Sequence, residues 1–433
     1  MEATPKSNRL HIALFGRTNV GKSSFLNLIA DQDVAIISPV PGTTTDVVEK
    51  SMEFPPLGPV VFLDTAGVDD RSEISGLRLA KTRKIFDRAE VLVLVVEPNR
   101  WTAYEEAIAA EASRRKIPVI VIVNKIDLQA PSGDFLSLVS RLTHRLVEVS
   151  SVDRGGRSKY IEPFRRHLTE VCPDDFIAPP PLVGDLLRPG GLAVLVVPID
   201  LEAPKGRLIL PQVQTTRELL DNNAAALIVK EGELQAMLSR LGELPDLVVC
   251  DSQVVLETAD KIPPDVPLTT FSILFARHKG NLEELARNAA AIERLEPGDR
   301  VLISEACSHH PVEDDIGRVK IPRWLKQYLD CNISIDVYAG RDYPENLADY
   351  RLIIHCGGCM LTRREMLNRI QQAVEAGVPV TNYGVAISFL QGVLPRALQP
   401  FPDALEAFDP ALKGAEKEII NGFCTGGTGT YVG

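Results

Sequence analysis

Short apolar runs alternate with amphipathic stretches along most of the chain, a pattern that predicts parallel strands with helices packed on the faces of their sheets. In the first block, strands are expected at Leu10–Phe15, Val60–Leu63, Val91–Val96, Pro118–Val123 and Leu146–Val149. A join rich in proline follows, Pro173-Asp174-Asp175 and then Pro179-Pro180-Pro181, which resists both helix and sheet. The second block begins near Gly184, with strands expected at Leu192–Val197, Ala226–Val229, Leu247–Cys250 and Leu268–Phe275. The third starts near Phe275–Gly280, with strands at Val301–Ser304, Ser334–Tyr338, Leu352–Ile354 and Val378–Thr381. It has helical patterns at Pro322–Leu329 and Arg363–Ala376, the latter closed by Gly377. The tail, Gly422–Gly433, is rich in Gly and Thr and has no periodicity. The expected organisation is α/β throughout. A domain over 1–172 is followed by a linker over 173–183, a small α/β domain over 184–272 and a Rossmann-like α/β domain over 273–433.

Chemistry concentrates first at Gly16-Arg17-Thr18-Asn19-Val20-Gly21-Lys22-Ser23, directly after an expected strand and before the helical run Ser24–Ala30. This is the pattern of a phosphate-binding loop, a P-loop: glycines let backbone N–H groups wrap a phosphate at a helix N-terminus. Gly16, Asn19, Val20, Gly21, Lys22, Ser23 and Ser24 are the expected contacts. Lys22 would reach the β- and γ-phosphates and Ser23 would meet Mg²⁺. Asp64-Thr65-Ala66-Gly67 follows the second strand, where Asp64 can hold Mg²⁺ through water and the Gly67 N–H can meet the γ-phosphate. Pro41-Gly42-Thr43-Thr44-Thr45-Asp46 lies where a loop would close over that phosphate, with Thr44 as a further Mg²⁺ contact. Asn124-Lys125-Ile126-Asp127 follows a later strand, and its Asp127 carboxylate can accept both N1–H and the 2-amino group of guanine. Adenine offers no such pair of donors, so GTP is expected and not ATP. Ser150-Ser151 after the last strand can back the base. Five motifs in order at strand ends predict a GTPase domain, with Lys22, Asn19, Thr44 and Gly67 as its catalytic groups.

Composition narrows the partners. The chain has 433 residues, and 47 basic against 58 acidic side chains leave a formal charge of −11. A chain-wide basic face for nucleic acid is excluded on that balance. The longest apolar runs fall far short of the roughly 18 residues a membrane helix needs. Met1–Arg9 lacks the apolar stretch of a signal peptide, so a cytoplasmic location is expected, with neither membrane nor nucleic acid as partner. Seven cysteines, an odd number in a long chain, suggest thiols or metal ligands and not a disulfide framework.

Three of them carry a pattern. Cys307-Ser308-His309 ends one expected strand and His355-Cys356-Gly357-Gly358-Cys359 ends another. Both lie at carboxyl ends of strands, where open α/β sheets place ligands. Cys-x-x-Cys alone is ambiguous, and three uses compete. Structural zinc would take four Cys or His ligands and close the site. A redox dithiol would not need Cys307 or His309. An iron–sulfur cluster on three thiolates would keep one iron open. Cys172, Cys250 and Cys331 read as inert thiols. Cys424 lies in the Gly-rich tail.

The first block resembles translation-factor-related GTPases with Asn in the phosphate loop and a Gly-Thr-Thr switch. In that group the Asn at the place of Asn19 helps to hold K⁺. Val68 stands where Ras-like enzymes carry the Gln that orients water, which leaves room for K⁺ to stabilise charge. Taken with the small middle block and Cys-x-His…His-Cys-x-x-Cys, the whole chain resembles the HydF family of FeFe-hydrogenase maturation GTPases. The resemblance implies a 4Fe–4S cluster on Cys307, Cys356 and Cys359, with His309, His355 or Asp314 as candidates for a fourth ligand. It implies a middle dimerisation domain, a homodimer or tetramer, and a transient two-iron precursor. Its partners would be radical-SAM maturases and apo FeFe-hydrogenase, with hydrolysis of GTP to GDP acting as a switch. The competing expectation is a K⁺-dependent GTPase associated with RNA or the ribosome and carrying structural zinc.

Overall fold

The computed structural model describes residues 5–30, 48–64, 76–198, 208–306, 315–340, 343–344 and 346–409. Thr44 and the rest of its loop, Thr65–Val68 with Gly67, Cys307, His309, Asp314 and Cys424 with the Gly-rich tail lie outside the described residues. The chain divides into two compact units, 1–179 and 180–433.

The first unit is built on a six-stranded sheet. Its strands are β1 (Leu10–Phe15), β2 (Val48–Phe54), β3 (Gly58–Asp64), β4 (Val91–Val96), β5 (Val119–Asn124) and β6 (Leu146–Val149), in spatial order β2-β3-β1-β4-β5-β6. All neighbours run parallel except β2 against β3. Helices Lys22–Ala30 and Arg157–Val171 bury Phe25, Leu26, Phe164 and Leu168 on one face. Helices Gly76–Arg88, Ala103–Arg114 and Gly133–Ser140 bury Phe86, Ile108 and Phe135 on the other. Two covered faces explain why β1, β4 and β5 are buried at every position and read as continuous apolar runs. Strand β2 was not among the expected elements. It is an antiparallel edge strand, where Glu49, Lys50, Ser51 and Glu53 interrupt the apolar signal and Phe54 is buried.

The second unit carries two four-stranded parallel sheets on one continuous hydrophobic core. The first sheet has the order β10-β9-β7-β8, from β7 (Leu192–Val196), β8 (Ala225–Val229), β9 (Leu247–Cys250) and β10 (Leu268–Thr270). The second has the order β12-β11-β13-β14, from β11 (Arg300–Glu305), β12 (Ser334–Ala339), β13 (Leu352–His355) and β14 (Val380–Asn382).

The stretch Leu268–Phe275, expected as one strand, breaks after Thr270 and continues as the helix Phe271–Lys279. The Thr270 hydroxyl accepts from the Ile273 N–H at 3.1 Å and so caps the helix. Phe271, Ile273, Leu274, Phe275 and Ala276 are all buried, so the helix shows no polar face from which its period could be read. The proline-rich join also holds one helical turn, Asp174–Ile177. Beyond it, a single Glu218 oxygen accepts from the N–H groups of Leu182, Val183 and Gly184 and fixes the entry into the second unit. Among the described residues, no helix is long and apolar enough to cross a membrane.

Candidate functional site

The phosphate loop turns tightly between β1 and the helix Lys22–Ala30. Gly16 has φ 152°, and a Cβ there would lie 2.5 Å from the Val95 carbonyl oxygen. Gly21 has φ 97°, and a Cβ would lie 2.2 Å from the Asn124 amide nitrogen. Neither position accepts a side chain. Asn19 is exposed at φ 62°, a left-handed conformation that Asn tolerates better than most residues. Ser23 and Ser24 are exposed at the start of the helix and Val20 is buried beneath the loop. The Lys22 ammonium donates to the carbonyls of Gly16 at 2.5 Å and Arg17 at 3.1 Å, so it lies across the loop it would serve.

Asn124, at the end of β5, ties three segments together. Its Nδ2 donates to the Val20 carbonyl at 2.9 Å, while its Oδ1 accepts from the Ser151 N–H at 3.1 Å and the Ser151 hydroxyl at 2.7 Å. The phosphate loop and the loop after β6 are thus held to one buried amide. The Ser150 hydroxyl donates to the Asp127 carboxylate at 2.7 Å, which orients the group expected to read guanine. Lys125, at φ 67°, donates to Glu97 at 2.6 Å. Burial pushes the Glu97 carboxyl up, but the Lys125 hydrogen bond and the charges of Lys125 and Arg17 outweigh it and hold the group below its ordinary value. Asp64 is buried at the end of β3, with Lys50 3.9 Å away.

Two supports of the loop come from residues distant in the chain. Arg17, inside the loop motif, turns into the protein, where its Nε donates to the fully buried Glu105 at 2.7 Å. The Gly16 N–H donates to the Tyr104 hydroxyl at 3.4 Å. Thr102-x-x-Glu105 is legible as a capping box, and it does cap the helix Ala103–Arg114. That the same carboxylate anchors a P-loop arginine is a tertiary fact that no local pattern carries.

Asp127→Asn is expected to weaken GTP binding by about a hundredfold or more and to favour XTP. Two charge-assisted bonds from the carboxylate to guanine would be worth about 1.5–3 kcal/mol each. Competition of each nucleotide against a fluorescent GDP analogue checks this; an unchanged GTP-to-XTP ratio would remove Asp127 from base recognition.

The second site forms where β11 and β13 lie side by side, with Ser304 paired to His355. Beyond that pair the Cys356 N–H donates to the Ser304 carbonyl at 2.8 Å, and the Ala306 N–H donates to the Cys356 sulfur at 3.1 Å. Burial pushes the Cys356 thiol up to about 11 and raises Cys359 as well, the latter opposed by the charge of Lys279. Gly358, at φ 63°, makes the turn between the two thiols. His355 is buried. Arg369 always donates, so the contact of its Nη1 with His355 Nε2 at 2.9 Å makes Nε2 the acceptor. The Nδ1 therefore carries the proton, which it donates to the Cys356 carbonyl at 2.7 Å. Burial and the adjacent guanidinium push its pKa down to about 3.

Both His355 nitrogens are thus engaged by the chain itself. Among the described residues, no three His, Cys, Asp or Glu side chains converge as a metal site. Cys307 comes next after Ala306, outside those residues. The donor set nevertheless suits a cluster: two thiols flank a glycine pair, and a backbone N–H already points at sulfur.

Cys172 and Cys250 are buried, and burial raises the thiol pKa of both, as expected of inert thiols. Cys331 is half-buried against the core.

The fold and the loops at its strand ends define a P-loop GTPase joined to further α/β domains. Three family descriptions match the chain in succession: a 50S ribosome-binding GTPase over residues 11–125, a Hydrogen maturase F dimerization domain over 182–280 and a Hydrogen maturase F tetramerization domain over 283–400. The chain belongs to the hydrogen maturase F family, HydF. The descriptions of its two maturase domains support self-association. The GTPase part is also similar to the tRNA modification GTPase MnmE of a Synechococcus species, at 38% identity over 146 residues. That match covers 33% of this chain and 31% of MnmE. GTPase Der of a Nitratiruptor species is 36% identical over 131 residues, 29% of this chain and 28% of Der. The G domain of the T. maritima FeoB iron transporter superposes with a TM-score of 0.30 at 23% identity, covering 38% of this chain and 98% of that one. The chain spans under a third of the length of these curated relatives.

Proposed function

We propose that this chain is a GTP-switched carrier that holds a 4Fe–4S cluster and delivers a two-iron precursor to apo FeFe-hydrogenase, working with radical-SAM maturases. Residues 1–172 would be the switch, 184–272 the dimerisation domain and 273–433 the cluster domain. In the switch, Lys22 would leave the loop carbonyls for the β- and γ-phosphates. Asp127, oriented by Ser150, would read guanine, and Ser151 would back the base. Ser23, Thr44 and Asp64 would hold Mg²⁺ and Asn19 would hold K⁺, ions that supply positive charge to the transferring phosphoryl group. The Gly67 N–H would meet the γ-phosphate.

One observation carries the cluster reading. The Ala306 N–H contacts the Cys356 sulfur, which sets the residue before Cys307 against the Cys356–Cys359 pair. Cys307, Cys356 and Cys359 would be the thiolate ligands, and a cluster on three thiolates supplies an iron position open to exchange. With both His355 nitrogens engaged, His309 and Asp314 are the better candidates for a labile fourth ligand.

Anaerobic reconstitution with iron and sulfide, followed by EPR of the reduced chain, tests the proposal. A 4Fe–4S signal is expected; stoichiometric zinc that iron cannot replace would overturn it in favour of a zinc-stabilised GTPase. GTP turnover is expected to be several-fold faster in K⁺ than in Na⁺, and equal steady-state rates in the two salts would remove K⁺ from Asn19.

A further inference from the structure

Two cations are buried behind the cysteine loop with neutral groups as their hydrogen-bond partners. Lys279 is 2% exposed, and its ammonium donates to the carbonyls of Leu361 at 2.5 Å and Cys359 at 3.4 Å. Arg369 is 6% exposed and donates to His355 Nε2, to the Ser304 hydroxyl at 3.4 Å and to the Gly340 carbonyl at 3.1 Å. Each also lies over an aromatic ring, Lys279 over Phe275 and Arg369 over Tyr343. Among the described residues, neither has a carboxylate within ion-pair distance. Of the negative groups that act on Lys279 through space, Cys359 acts more strongly than Glu365, which lies beyond ion-pair distance.

Burying a charge is costly unless an opposite charge meets it. Helix capping does not account for Lys279, because Arg363 already donates to the His278 and Gly280 carbonyls at that helix end. Orienting a loop needs only a neutral donor. Among the described residues, neither cation therefore has a carboxylate in contact with it, and each stands behind one of the two thiols.

We propose that Lys279 and Arg369 are the charge-balancing residues of the cysteine site, two buried cations that bias it toward an anionic occupant and toward the reduced state of its cluster. The proposal rests on the cluster reading above. An oxidised core of charge 2+ on three thiolates carries a net charge of −1. One electron from an external reductant takes it to −2 with no bond made or broken. Each nearby cation favours the second state over the first, so removing one lowers the reduction potential. Lys279 and Arg369 act on the site through the loop and through His355, as positioning residues.

The test is a mediated dithionite titration of the reconstituted whole chain, followed by EPR, with iron content and apo-protein Tm measured in parallel. Lys279→Gln keeps a donor for the Leu361 carbonyl and removes only the charge; Lys279→Arg keeps the charge. The expected result is a potential lowered in Lys279→Gln by about 59 mV or more, a tenfold shift in the one-electron equilibrium. Lys279→Arg is expected to stay within threefold of wild type, and Arg369→Gln to shift in the same direction as Lys279→Gln. A Lys279→Gln chain with wild-type Tm that loads no cluster, rescued by Lys279→Arg, would also support the proposal, because the charge would then be needed to retain the anion. A loaded Lys279→Gln chain with an unchanged potential would overturn the proposal and leave the cluster reading intact, as would failure of that variant to fold. A wild-type chain that takes up no cluster would overturn both.

Discussion

Asn124→Ala is expected to lower GTP and GDP affinity by about a hundred- to a thousandfold while leaving the chain folded. The side chain satisfies the Val20 carbonyl on one side and the Ser151 N–H and hydroxyl on the other. Truncation strands at least two groups at a buried position, at about 1–3 kcal/mol each. A combined loss of about 3–4 kcal/mol corresponds to two to three powers of ten in a binding constant. The loss falls on binding because the amide joins loops and is not part of the sheet core. Gly21 and Asn124 also fit one another, with no space for a Cβ between them. Ser151→Ala removes one donor and is expected to cost about tenfold. Titration with a fluorescent GDP analogue measures both variants, with Tm as the control. An Asn124→Ala affinity within threefold of wild type would show that the loop holds its shape without the brace.

Cys356→Ala is expected to abolish cluster loading while GTP turnover persists. Its sulfur is the acceptor for the Ala306 N–H, so it stands at the joint between the two cysteine segments. In the apo chain the loss is one weak hydrogen bond, about 1 kcal/mol, too little to unfold the unit. In a loaded chain it would remove one of the three proposed thiolates and leave the cluster without a stable seat. Cys331→Ala is the control, since that thiol is half-buried against the core, away from the loop, and loading should survive. Iron and sulfide per chain decide the matter. Wild-type loading in Cys356→Ala would place the cluster elsewhere.

Much of this architecture is legible in the sequence because both sites occupy ends of buried parallel strands. Strands β1, β4 and β6 begin and end where their apolar runs do. The loop motifs after β1 and β5 follow by simple adjacency. What the sequence hid has a common cause: a residue whose partner is distant in the chain. Arg17 has no role in the loop motif as the sequence shows it, and its role comes from Glu105, far along the chain. Asn124 reads as a base contact, yet its amide binds the phosphate loop. Lys279 falls beyond the expected strand Leu268–Phe275 and carries no signal of its own, because the helix Phe271–Lys279 that places it is apolar nearly all round. Edge strand β2 was lost for the opposite reason, since its polar positions break the pattern that marks interior strands.

Delivery of the two-iron precursor is open to a direct test. Apo FeFe-hydrogenase is incubated anaerobically with this chain purified after coexpression with the radical-SAM maturases, and hydrogen evolution is followed. Activity is expected with the wild-type chain and none with Cys356→Ala. Equal activation by the two chains, or none by the wild type when its cluster is present, would contradict delivery.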